Sequence, residues 1–130
     1  MARPVPLLLA LCLFASPALA DPSMECSLAA DSQVETGDCV NAVATTVDAV
    51  MEQALMFARS AAEELDGITG REVSVPALEA SQAAWLAYRD AECEFVGSTW
   101  GGGSGTGIAI SSCRIELTRD RIDALMDSLP

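Results

Sequence analysis

The side chains that could do chemistry in this chain are its nineteen carboxylates, seven arginines and five cysteines, with no histidine and no lysine among the 130 residues. Without histidine, Ser-His-Asp and Cys-His nucleophilic sets cannot be assembled; without lysine, neither can Ser-Lys dyads or Schiff bases. Carboxylate pairs such as Glu63-Glu64 have the composition of an acid/base couple. In so acidic a chain, however, adjacent carboxylates read as a solvated helix face. The residues therefore point to a protein that is not an enzyme, acts by binding and needs no cofactor.

Cys12 lies in an N-terminal leader, which leaves Cys26, Cys39, Cys93 and Cys113. An even number of cysteines in an exported chain reads as two disulfides. A zinc site would want a C-x₂-C element or histidines, and neither is present. Four cysteines allow three connectivities. Cys26–Cys39 with Cys93–Cys113 is favoured, because each pair is local and brackets a plausible turn. Each closure is worth about 3 kcal/mol in the chain-entropy account.

Two segments offer binding residues. Gly97 to Gly107 is rich in glycine yet fits neither G-x-G-x-x-G nor G-x-x-x-x-G-K, and it contains no basic residue. It reads either as a plain chain reversal or as an adaptable loop presenting Trp100, Gly102, Gly103 and Ser104 to a partner, with Trp100 as the anchor. The second segment runs from Ser81 to Cys93. Trp85 and Leu86 are expected in the core. Gln82 and Arg89, seven residues apart on the face of Trp85, read as satisfied polar groups that hold two helices in register rather than as ligands.

These residues must be positioned by a small exported domain. Arg3, the apolar run Leu7 to Ala15 and Ala18-Leu19-Ala20 make residues 1–20 a signal peptide cleaved before Asp21. Lipidation at Cys12 is the rival reading, but Leu11 stands where a small residue is wanted. The remaining residues, 21–130, form a single domain in the periplasm or outside the cell. Its six arginines against nineteen Asp and Glu give a net charge of −13. That field repels nucleic acid and anionic membranes and attracts cationic partners, and no apolar run approaches the length of about 20 residues that membrane insertion needs. Apolar residues recur at helical spacing from Cys39 to Leu65, with Thr36 or Asp38 as cap and Gly67 near the end. Pro76 opens a second helix, to about Val96, whose buried stripe is Leu78, Trp85, Leu86, Phe95 and Val96. A third runs from about Ile110 to Ser128 on a seam of Ile115, Thr118, Ile122, Leu125 and Leu129. Asp21 to Asp38 reads as a polar lead-in. The expected fold is all-α: about three helices, with a helical hairpin and a disulfide-clamped glycine-rich loop.

The pattern Gln82-x-x-Trp85-Leu86-x-Tyr88-Arg89-Asp90-x-x-Cys93, then Gly102-Gly103-Ser104, Ser112-Cys113 and Thr118-x-x-Arg121-x-x-x-Leu125, resembles the lysozyme inhibitor LprI-like N-terminal family of exported bacterial proteins. Cys26 and Cys39 also fall where that family carries cysteines. The first helix departs from it: the family commonly has Asp-x-x-Leu-Asn-x-x-Tyr, against Asp48, Met51-Glu52 and Leu55 here. The resemblance implies a small helical domain in the periplasm of a Gram-negative bacterium, with lysozyme inhibition as its activity. A basic lysozyme would be its partner, met by charge complementarity and by occlusion of the substrate cleft. The alternative is a non-inhibitory structural module that binds another envelope protein or a polyamine-like cationic ligand.

Overall fold

A computed structural model describes residues 21–129; the expected leader and its cleavage point lie outside them. Four helices follow one another: α1 (Pro22–Ser27), α2 (Gln33–Thr69), α3 (Ser74–Ser98) and α4 (Gly105–Asp127). The fold is an all-α bundle in which α2, α3 and α4 run antiparallel in turn. At 37 residues, α2 is about 55 Å long.

The lead-in expected between Asp21 and Asp38 is largely helical. Asp21 caps α1 by accepting from the Ser23 amide, and Pro22 occupies the first turn, where a missing N–H costs nothing. α2 begins at Gln33, ahead of the expected caps Thr36 and Asp38. Ser32 is its cap, accepting from the Glu35 amide at 3.2 Å, while the Glu35 carboxylate accepts from the Asp31 amide at 2.8 Å. That arrangement is close to a capping box, written in the sequence as Ser-x-x-Glu.

At its far end α2 passes through Gly67 and stops at Gly70, whose φ of 66° is left-handed. The Asp66 carboxylate then reaches across the turn and accepts from the amides of Val73, Ser74 and Val75 at 2.8–3.3 Å, capping α3 from the preceding helix. Desolvation opposes its ionisation, but the amide bonds from Ser74 and Val75, the Ser74 hydroxyl and the Val73 amide outweigh it and hold the carboxyl at about 2.

The core has two parts. Cys26, Val40, Val47 and Ile115 pack where α1, α2 and α4 meet; Met51, Ala54, Ala58 and Leu125 pack further along, with Leu78 and Trp85 against them. α1 touches α2 and α4 but not α3. Toward the glycine-rich loop, α1 thus occupies the flank of the α2–α4 pair, and α3 is left with α4 alone. The expected buried stripe of α3 is corrected. Leu86 is 40% exposed and Phe95 64%, while Trp85 and Val96 are only half-buried. Phe57 and Leu65, which fall within the apolar spacing of α2, are exposed as well.

Both disulfides of the structure join elements rather than strap one element. Cys26–Cys39 ties α1 to α2 with Cα atoms 5.8 Å apart, and Cys93–Cys113 ties α3 to α4 at 5.5 Å. No helix among the described residues is long and apolar enough to cross a membrane.

Candidate functional site

The chain reversal between α3 and α4 is shorter than the run of glycines suggested. It spans residues 99–104, because Gly97 still belongs to α3 and Gly105 and Gly107 already belong to α4. Gly101 and Gly102 have φ of 69° and 83°, which L side chains adopt only with strain, so the turn depends on glycine at these two places. The amides of Trp100 and Gly101 donate back to Gly97 and Ser98, continuing the helical turn.

Trp100 is carried out of this turn with 58% of its surface exposed, and its ring lies over the backbone of Gly105. A Cβ at residue 105 would stand 3.2 Å from the ring carbon Cε3, so glycine there lets the indole settle against the start of α4. Gly103 lies in the turn beside them, and its carbonyl accepts from the Thr106 amide. The Ser104 hydroxyl donates to Oε1 of Gln33 at 2.5 Å, which pins the loop to the first turn of α2.

Trp100 forms one wall of a cleft of about 400 Å³, whose other walls come from Met24 and Ser27 of α1, Thr36 of α2 and Ile108 of α4. A neighbouring cleft of about 450 Å³ lies between α2 and α4, lined by Val34, Asp38 and Ser111, and shares Gln33 with the first.

The floor of the Trp100 cleft is held by a network of short polar contacts. The Ser112 hydroxyl donates to Asp21 at 2.6 Å and accepts from the Ser23 amide at 2.9 Å, while the Ser23 hydroxyl also donates to Asp21. Desolvation would raise the Asp21 carboxyl, but hydrogen bonds from Ser112, Ser23 and the Met24 amide prevail and lower it. Glu116 moves the other way. Burial raises it first, then repulsion from Asp21 and Asp120, against the opposing attraction of Arg119.

This end of the molecule carries Asp21, Glu25, Asp31, Glu35 and Asp38, yet no basic residue occurs from 21 to 58 or from 90 to 113. Among the described residues, only Arg119 reaches in, to Glu25 at 3.7 Å. The cleft of the described residues is therefore an indole with mixed walls, Met24 and Ile108 beside Ser27 and Thr36, inside an acidic rim with a single counter-cation.

The other residues singled out in the sequence are placed elsewhere, along the α3–α4 contact. Arg121 donates from Nε to Gln82 at 3.1 Å and from Nη2 to Ser81 at 2.9 Å. Arg89 stacks over Trp85, 5.2 Å from the ring centroid, and donates to Asp90 and, at 3.4 Å, to Thr118. Thr118 is buried and donates to the Arg114 carbonyl at 2.6 Å. Asp90 also faces Arg114 at 3.6 Å. Leu125 is buried in the second core cluster, whereas Tyr88 points outward and meets none of these groups.

The same residues order the comparison with known proteins. The sequence profile of the family described as lysozyme inhibitor LprI matches residues 23–125, from α1 to the end of α4. The chain belongs to the LprI family. An uncharacterised protein of Rhizobium meliloti (strain 1021), R02472, is 30% identical over 124 residues, which cover 92% of this chain and 88% of that relative. No solved structure matches.

Within this LprI-family chain, the motif residues Gln82, Arg89, Thr118 and Arg121 bind α3 to α4, and the Trp100 cleft lies beyond the Cys93–Cys113 bond, where the two helices end and begin. Gln33 and Asp21, which hold the loop and the cleft floor, were not singled out in the sequence, and Ser112 stood there only as part of the family pattern. Asp21-Pro22 is itself a helix-start signal and could have revealed α1. The pairing of Ser112 with Asp21, separated by 91 residues, leaves no local trace.

Proposed function

We propose that this protein is exported and inhibits a basic lysozyme, presenting the Trp100 end to the enzyme's substrate cleft. The observation that carries the proposal is the acidic, nearly uncompensated rim around an exposed tryptophan. A cationic partner is drawn by the charge, and the indole supplies a desolvated anchor once it arrives. The family's description names lysozyme as the partner class. Two disulfides in a small domain fit an oxidising compartment, and residues 1–20 supply the route there.

In this reading the roles divide. Asp31, Glu35 and Asp38 govern encounter, Trp100 governs residence, and the Gln33–Ser104 bond holds the loop ready so that little ordering entropy is lost on binding. The α3–α4 motif residues keep the platform rigid and do not touch the partner.

The deciding experiment is a lysozyme turbidity assay with the purified protein, run with Trp100→Ala and with an unrelated cationic protein as binding control. Inhibition is expected, with the off-rate of Trp100→Ala raised by about tenfold or more. The on-rate should fall as salt shortens the Debye length, equally in both proteins. Binding that tracks only the partner's charge and ignores Trp100 would refute the inhibitor reading.

A further inference from the structure

The two tryptophans keep different company. Arg89 stacks over the Trp85 ring, 5.2 Å from its centroid, and Asp90 neutralises that guanidinium at 3.1 Å. Indole, cation and carboxylate are all supplied by α3. The exposed Trp100 indole also has a carboxylate in its cleft, that of Asp21, but among the described residues no cation lines the cleft with them. Arg119 is engaged by Glu25 and is not part of the lining.

The Asp21 carboxylate is fixed in place. Its Oδ1 accepts from the Ser23 amide and hydroxyl, both at 2.8 Å, and from the Ser112 hydroxyl at 2.6 Å. These donors come from α1 and α4, so the carboxylate cannot turn without parting two helices. Its Oδ2 accepts from no group among the described residues. Desolvation works against ionisation of Asp21, yet the hydrogen bonds prevail and keep it charged. Glu116, raised first by burial, is raised further by that charge, so the floor carries more negative charge than its neighbours offset.

We propose that this cleft receives one arginine side chain of a cationic partner protein, its guanidinium stacked on the Trp100 indole and bonded to Oδ2 of Asp21. The chemistry selects the occupant. An indole face attracts a cation through its quadrupole, and the carboxylate supplies the counter-charge. A guanidinium is flat, so it can stack on the ring and still aim an N–H at the oxygen. An ammonium is compact and strongly hydrated, and gives up one contact for the other. Met24 and Ile108 offer apolar surface to the methylene stem. At about 400 Å³ the cleft is at the small end of ligand sites, the scale of a single long side chain. The inference rests on the lysozyme reading solely for the source of the arginine.

The test uses small probes that need no partner: the amides of N-acetylarginine, N-acetyllysine and N-acetylcitrulline, the last a neutral isostere of the first. Each is titrated into the purified protein while NMR follows the Trp100 indole N–H, identified by its loss in Trp100→Ala. Arginine should shift it saturably, lysine should bind several-fold more weakly, and citrulline should not saturate. Asp21→Asn keeps a helix cap and an acceptor for Ser23 and Ser112, and should weaken arginine binding roughly tenfold. Asp31→Asn, outside the cleft, should weaken it by about twofold at most. In the chain cut before Asp21 the α-amine is the sole amine, because lysine is absent. It competes for the same carboxylate, so acetylating it should tighten arginine binding; unchanged binding would overturn Asp21 as the counter-ion. Equal binding of arginine and citrulline overturns the proposal, as does arginine binding indifferent to Asp21→Asn. If that variant does not fold, the citrulline comparison decides alone. Lysozyme inhibition with no arginine binding refutes this cleft and leaves the inhibitor reading standing; arginine binding with no lysozyme inhibition does the reverse.

Discussion

Gly97→Ala sets a favourable local effect against an unfavourable tertiary one. Gly97 is buried in the last turn of α3, where alanine should gain about 0.5–1 kcal/mol in backbone entropy. An added Cβ, however, would stand 2.4 Å from Cγ1 and 2.6 Å from Cδ1 of Ile110. Contacts that short force a rotamer change or a separation of the helices, at about 1–3 kcal/mol. Separation is resisted locally, because the Cys93–Cys113 bond ties α3 to α4 one turn before Gly97 and one turn after Ile110. The clash should therefore win, for a net loss of about 1 kcal/mol and a Tm lowered by roughly 4–8 °C. Ile110→Ala removes both clashing carbons, and in that background the sign should reverse, with Gly97→Ala stabilising by about 0.5–1 kcal/mol. Urea unfolding followed by far-UV circular dichroism reads both backgrounds from the midpoint at constant m. A stabilising Gly97→Ala in the wild-type background would refute the close approach, and so would an equal effect in both.

Trp85→Ala should cost about 2 kcal/mol in urea unfolding, below the ~3–5 kcal/mol of a fully buried aromatic, because the indole is only half-buried. Trp100→Ala, on the loop, should stay within about 0.5 kcal/mol of wild type. Replacing Cys93 and Cys113 together by alanine opens a loop of 20 residues and should cost about 3 kcal/mol, read from the shift in urea midpoint. The Asp66 carboxyl lies at about 2 in the folded chain, below its ordinary 3.8. Its contribution is therefore complete above about pH 4 and lost as pH falls toward 2, and Asp66→Asn should flatten the stability profile across that window. Glu116 is raised in the folded chain, so its ionised form is disfavoured there; Glu116→Gln should stabilise the protein at neutral pH, with the gain shrinking in acid.

The local features were legible in the residues themselves. Apolar spacing, Pro76 and the glycines marked three long helices, and the four cysteines between residues 21 and 130 marked two staples. The specific run from Gln82 to Cys93 marked the family. Misplaced boundaries also had local causes: Ser32-x-x-Glu35 and Asp21-Pro22 are start signals that were passed over. Burial on α3 was different in kind. Periodicity says which residues share a face, but packing decides which face finds a partner: Phe95 is exposed at the end where α1 takes the flank beside α2 and α4 and α3 keeps one neighbour, while Leu86 only lines an open groove with Leu55 and Arg59 of α2. No window of sequence contains that competition. The cleft is a tertiary product for the same reason: Trp100, Gln33 and Ser112 come from three separate helices or their junctions, and only folding brings them together. Sequence determined the elements, the acidic field and the staples, because these depend on neighbours along the chain. Tertiary packing decided which apolar faces found partners, because it depends on which helices share a groove.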